Sequence, residues 1–278
     1  MEEICSPPND QQCVPNVCEI EQIKPSLLRR LTIPKDIKSL GIIWSCLVLP
    51  DGKFIITHHD KKRLHLFSNE GIYIRKIITF KEYPNTACFV SNNTVAVTLE
   101  ANQIVLVDVD KNKIMNTTKL SHQCYGVASD GKTLVISSDD KCTRVNLIDM
   151  SQTNLEGVVK LKSISLFQGN IYGIVFYEDQ VRCYKSTGEL LWTFQSHDID
   201  YSGGLAIDQN GFVFISSYEK NKIVVVSPDG KTSKTVISEA DGIKSPVAID
   251  INRETGLMLV SSDISDDNCD QTGFVYKI

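Results

Sequence analysis

The sequence is poor in the features that would assign it a chemistry or a membrane. No stretch approaches the roughly 18 consecutive apolar residues of a membrane-spanning helix. The opening "MEEICSPPNDQQCVPNVCEI" has neither the basic n-region nor the apolar h-region of a secretory signal. A Gly-x-Ser-x-Gly elbow, a phosphate-cradling glycine loop and a His-Glu-x-x-His helix are all missing. There are nine cysteines but no C-x2-C pair; the one cluster, Cys5, Cys13 and Cys18, lacks zinc-module spacing. Cys46, Cys88, Cys124 and Cys183 fall in apolar runs, where a thiol behaves as a small hydrophobe. These absences point to a reducing, cytoplasmic setting with no membrane, metal or cofactor. The sequons at Asn92 and Asn116 carry no weight there. A net charge of −5 argues against general affinity for nucleic acid or anionic lipid.

Helical periodicity is also missing. What the chain has in abundance is one phrase, a polar turn followed by a short apolar run closing on a hydroxyl. It appears as "LPDGKFIIT" (49–57), "VSNNTVAVT" (90–98), "ASDGKTLVIS" (128–137), "IDQNGFVFIS" (207–216) and "IDINRETGLMLVS" (249–261). A sixth copy, "LFQGNIYGIV" (166–175), lacks the final hydroxyl. Its inclusion makes the intervals 41, 39, 38, 41 and 45 residues. Each copy continues through a polar loop, a second apolar run, another turn and a fourth run, as in "HHDKK", "RLHLF", "SNEG" and "IYIRKII". The unit is therefore four short strands separated by Gly, Asn, Asp and Pro turns.

Four-stranded units of about 40 residues, six times over, predict an all-β, six-bladed β-propeller. The first strand of each blade is expected to line the axis, where six strands converge and small residues fit: Cys46, Ala87, Cys124, Gly126, Gly204 and Ala248. The last copy stops at Ile278 with three strands, while "SLLRRLTI" (26–33) is a strand with no blade of its own. The N-terminal strand is thus expected to complete the C-terminal blade, which removes an open sheet edge. The expected organisation is a flexible leader over 1–25 and one propeller over 26–278. Its blades are placed at about 44–80, 85–120, 123–161, 163–196, 201–244, and 245–278 plus 26–33. A ring closed on itself is expected to be a monomer.

Recurrent Gly-His, Trp-Asp and Gly-Gly pairs of other propeller repeats are missing. "GGLAIDQNGFVFISSYEKNKIVVVSPDG" (203–230) and "CLVLPDGKFIITHHDKKRLHLFSNEG" (46–71) resemble NHL repeats instead. The resemblance covers about 26–278 at the level of pattern. It departs from the family where Thr57, Thr98, Ser137, Ser216 and Ser261 replace the Asp that follows the second strand. The run 27–57 is similar to the start of the propeller in TRIM-NHL (tripartite-motif) proteins, particularly the invertebrate set. The resemblance implies a partner-selecting module. In that family RING, B-box and coiled-coil modules carry or support ubiquitin-ligase activity, and none is present in these residues. The chain itself is therefore expected not to be an enzyme.

Two other readings stay open. Lactonase-like (gluconolactonase-type) propellers hold a divalent cation on the axis through Glu, Asn and Asp oxygens. Here Asp208 and Asp250 are expected in turns, and Ser202-Gly203-Gly204 and Ser245-Pro246-Val247 offer no carboxylate. His58-His59-Asp60 reads as a solvated loop rather than a catalytic group, because adjacent strand residues point to opposite sides. Some TRIM-NHL propellers bind RNA on a basic top face. The loops between second and third strands here carry eleven acids and four bases, which disfavours phosphate contact. A protein or peptide ligand remains the expected partner. His59, Tyr83, His122, Tyr125, His197, Tyr201, Tyr218 and Lys220, from different blades at one end of the ring, are the candidate binding residues.

Overall fold

The computed structural model describes residues 19–34, 43–175, 177–263 and 271–278. The leader's cysteines, Cys5, Cys13 and Cys18, lie outside the described residues, as do Asp266, Asp267 and Asp270 of the last acidic loop. The chain forms six four-stranded antiparallel sheets in a ring, the expected propeller. Strand β1 (Ser26–Arg30) comes first. Blade one is β2 (Ile43–Val48), β3 (Phe54–His58), β4 (Arg63–Phe67) and β5 (Tyr73–Thr79), and blade two is β6 (Pro84–Ser91), β7 (Thr94–Leu99), β8 (Gln103–Asp108) and β9 (Lys113–Lys119). Blade three is β10 (Val127–Ser129), β11 (Thr133–Ser137), β12 (Cys142–Asn146) and β13 (Gln152–Leu155). Blade four is β14 (Leu161–Phe167), β15 (Asn170–Val175), β16 (Gln180–Tyr184) and β17 (Leu190–Gln195). Blade five is β18 (Ser202–Ile207), β19 (Val213–Ser217), β20 (Lys222–Val226) and β21 (Ser233–Ile237). Blade six is β22 (Ile249–Asn252), β23 (Leu257–Asp263) and β24 (Gln271–Lys277), completed on the outside by β1.

Closure is by strand pairing. β1 runs antiparallel to β24, with Ser26 opposite Lys277 and Arg30 opposite Phe274. Leu31 and Ile33, just beyond β1, then pack with Cys46, Phe54, Leu259 and Val275 between blades six and one. The described core has no single centre. It divides into six apolar clusters, one at each blade-to-blade interface. That is why the second strands are buried on both faces: every residue of β3 and of β19 is buried, because each strand meets a neighbouring blade on either side. The outer strands alternate in burial, as strands with one face in water do.

At Thr98, Ser216 and Ser261 the recurring hydroxyl links neighbouring blades, whereas that of Ser137, among the described residues, meets only the Gly126 N–H and carbonyl of its own blade, at 3.0 and 3.4 Å. The Ser216 hydroxyl accepts the Gly204 N–H of its own inner strand at 2.8 Å and donates to the Val247 carbonyl of blade six at 2.6 Å. Ser261 accepts the Ala248 N–H at 2.8 Å and donates to the Ile43 carbonyl of blade one at 3.1 Å. Thr98 accepts the Thr86 N–H at 3.1 Å and donates to the Tyr125 carbonyl of blade three at 2.9 Å. In blade one the buried Thr57 hydroxyl finds no partner among the described residues, and Ser45 instead accepts the Ala87 N–H of blade two at 3.0 Å. Neighbouring inner strands approach closely enough that a methyl group on Gly203 would sit 2.3 Å from the Val247 carbonyl oxygen. The same convergence leaves an axial channel of about 350 Å³. Cys46, Ala87, Gly126, Gly204 and Ala248 line it, whereas Cys124 packs between blades two and three.

Candidate functional site

Loops joining second to third strands, and those joining one blade to the next, emerge at one end of the ring, the top face. Two sequence-selected pairs form there. His59 stacks on Tyr83, ring centroids 5.0 Å apart and planes at 27°, and Tyr201 meets Tyr218 edge-on at 5.8 Å. Two side chains that the sequence did not single out join the pairs. Trp44, at the start of the inner strand β2, lies 5.5 Å from His59. The Lys162 ammonium, at the start of β14, stands 5.9 Å from the Trp44 ring and 5.0 Å from that of Tyr201. Burial lowers the Lys162 pKa. The outcome is one band, Tyr83, His59, Trp44, Lys162, Tyr201 and Tyr218, crossing the top face from blade one to blade five. Lys62 extends it, its ammonium 4.0 Å over Tyr83 while donating to the Lys81 carbonyl at 2.7 Å.

Tyr177 adjoins the band through a cavity of about 30 Å³ shared with Lys162, Asp179 and Tyr201. Tyr177 and Tyr201 are exposed and have left-handed backbone, with φ of 61° and 47°. Side chains with a Cβ resist that region, and such strain concentrates at functional sites. An Asp179 carboxylate oxygen holds the Tyr201 turn by accepting its N–H at 3.0 Å.

The remaining candidates are placed differently. His122 is buried beneath the face, with Nε2 2.7 Å from the Thr143 hydroxyl and Nδ1 2.6 Å from the Gln123 carbonyl, and burial lowers its pKa. Tyr125 is half-buried and donates its hydroxyl to Gln123 at 2.7 Å and to Asp139 at 3.0 Å; burial and Asp139 push its pKa up to about 12. His197 is exposed, and Lys220 pairs with Asp200 at 3.3 Å. The tripeptide His58-His59-Asp60 is not wholly a solvated loop. His58 closes β3 and is 2% exposed, because it is still inside the blade sandwich when the chain turns.

The lower mouth of the channel holds the other concentration of charge. Asp250 does not sit in a turn. It is in β22, since the turn of blade six comes later, where the Asn252 carboxamide oxygen accepts the Glu254 and Thr255 N–H groups at 3.0 Å. The Asp250 carboxylate lines the channel and accepts the Val48 N–H at 2.8 Å; burial raises its pKa to about 6. Asp208 behaves as a turn residue, accepting the Asn210 and Phe212 N–H groups, each at 2.9 Å. Arg253 reaches from blade six to the Ile207 carbonyl of blade five at 3.0 Å and the Leu166 carbonyl of blade four at 2.6 Å. Among the described residues no three of His, Cys, Asp and Glu converge as a metal site would require.

No protein-family model matches the chain. A stretch of 81 residues is 24% identical to E3 ubiquitin-protein ligase TRIM56 of Mus musculus. The match takes in 28% of this chain and 11% of that protein. The fold and this local similarity are compatible with a protein-interaction module and with a non-catalytic domain. No helix among the described residues is long and apolar enough to cross a membrane.

Proposed function

We propose that the chain is a non-catalytic recognition propeller of NHL-like type, whose top face selects a protein or peptide partner. The partner-selecting role follows the TRIM-like resemblance, as the targeting module of a ubiquitin ligase or as a scaffold descended from one. One observation carries the reading: the band from Tyr83 to Tyr218 gathers aromatic rings from separate blades onto one surface, with Tyr83, Trp44 and Tyr201 exposed and His59 and Tyr218 half-buried. Rings of this kind anchor interfaces because they bury much area for little conformational entropy. Five described cysteines are buried free thiols, which supports a reducing, cytoplasmic setting. An RNA ligand is disfavoured by the acidic loops, and a lactonase-type reaction by Asp250 and Asp208 serving separate backbone groups.

Site-specific photocrosslinking tests the reading. A benzophenone amino acid at Tyr201 is expected to give discrete protein adducts that disappear in the W44A/Y83A variant, while the same probe at Lys132, on the opposite face, gives none. Adducts from Lys132 alone, or nuclease-sensitive adducts at Tyr201, would overturn it.

A further inference from the structure

Carboxylates border the aromatic band, and their pairing is uneven. Glu178 meets Lys160 and Arg182, Asp198 meets Lys222, and Asp200 meets Lys220. Asp60, Glu100, Asp139, Asp140 and Asp179 form no ion pair with Lys or Arg among the described residues. Asp60 and Glu100 flank His59 at 3.3 and 3.8 Å, at one end of the band. Asp179 underlies Tyr201 at the other end, and Asp139 and Asp140 adjoin Tyr125 in blade three, between the two. The rings between them already carry cations of the chain itself: Lys62 over Tyr83, and Lys162 over Trp44 and Tyr201. Even so, Tyr83, Trp44 and Tyr201 remain 37%, 41% and 54% exposed. Electron-rich rings between two groups of uncompensated carboxylates make a surface complementary to positive charge.

We infer that this band binds an arginine-bearing segment of a protein partner, guanidinium planes lying on the exposed rings and their donors meeting the carboxylates at either end. This rests on the top face being the recognition surface. Arginine suits it better than lysine, because the planar fork stacks on a ring and pairs two donors with one carboxylate at once. Phosphate-bearing ligands would meet the same carboxylates with repulsion.

The test is fluorescence anisotropy at near-physiological salt with three labelled dodecapeptides of alternating Gly-Arg, Gly-Lys and Gly-Glu. The Gly-Arg peptide is expected to bind roughly tenfold or more tightly than Gly-Lys, with no binding of Gly-Glu. W44A/Y201A, and separately D60N/E100N/D139N/D140N/D179N, should each weaken Gly-Arg binding about tenfold or more, while D51N/E189Q on the opposite face leaves it unchanged. Circular dichroism and melting curves establish that each variant is folded, and ranking the three peptides on the wild-type chain needs no variant. Equal binding of Gly-Arg and Gly-Lys, preference for Gly-Glu, no binding of Gly-Arg, or Gly-Arg binding indifferent to both top-face variants would each overturn the inference. Protein crosslinks from Tyr201 that Gly-Arg fails to compete would refute the arginine chemistry and leave the top-face reading standing. Without those crosslinks, both fall.

Discussion

Asp250 stands in the inner strand of blade six with its carboxylate in the axial channel and one backbone N–H, that of Val48, donated to it. Its ordinary pKa, about 3.9 in an unfolded chain, rises in the fold to about 6 because burial disfavours the charge more than the backbone donors favour it. Between those two values the folded state holds a proton that the unfolded state has released. Stability from this group is therefore fully present at low pH and is lost as pH rises through about 6. Above that, the ionised carboxylate costs folding about 3 kcal/mol. D250N keeps an oxygen for Val48 and removes the charge. In urea titrations it is expected to be about 1–2 kcal/mol more stable than wild type at pH 8 and equal to it at pH 4. His65, pushed down to about 4 chiefly by burial, has the opposite pH dependence and cancels in the comparison. A D250N protein weaker than wild type at pH 8 but equal to it at pH 4 would mean that the charge itself holds the channel together. At this scale the sequence was legible only in part. Loop proximity found His59, Tyr83, Tyr201 and Tyr218. It could not find Trp44 and Lys162, which start inner strands of blades one and four and meet only because the ring closes. No signal marks Trp44 in the sequence: it continues an apolar run, and only the fold leaves it exposed between buried Ile43 and Ser45. His122 lies equally near a loop, yet no local pattern distinguishes a ring that turns inward to Thr143.

Strands and turns were far more legible, because their signals are local. Each apolar run is as long as the strand it makes, and Gly, Asn and Asp mark the turns. Gly52 and Gly211, for instance, have φ of 81° and 88°. The element-level feature that pattern could count but not interpret is the hydroxyl closing the second strand. In the fold it satisfies an inner-strand N–H of its own blade and a carbonyl of the next, both away from water. Removing it leaves a buried donor and acceptor unpaired, at about 1–3 kcal/mol each. S216A and S261A are therefore each expected to lower stability by about 2–4 kcal/mol in urea titration. T57A should cost less, about 1 kcal/mol, because the Thr57 hydroxyl makes no such bond. If all three cost the same, the hydroxyls serve packing alone.

Closing the ring brings a strand from the start of the chain against one at its end, and most other properties of the molecule depend on that closure. β1 covers the outer edge of β24, and Leu31 and Ile33 fill the interface between blades six and one. Without them Phe274, Val275 and Tyr276 belong to an edge strand, and unpaired edges of apolar strands recruit other chains. Removal of residues 1–34 is expected to give a protein that aggregates and loses its cooperative melting transition. That result alone would not separate strand pairing from the general loss of a segment. The register supplies the separation, since Ser26 lies opposite Lys277 and a short turn can join the end of β24 to the start of β1. A permuted chain beginning at Ile43 and continuing from Ile278 through a Gly-Asn linker into residues 24–34 keeps every strand, while omitting residues 1–23, Ile23 among them, and the connection 35–42. With Ile278, Lys24 and Pro25 the connection between paired Lys277 and Ser26 is five residues long, a length that antiparallel hairpins use. Its stability is expected to lie within about 1–2 kcal/mol of wild type, because loop-closure entropy changes only slowly with loop length. Calorimetry then decides. A permuted chain that melts cooperatively near the wild-type temperature means that pairing of β1 with β24 closes the ring whichever end supplies the strand. One that fails like the truncated chain means that closure depends on the native connection from β1 to β2.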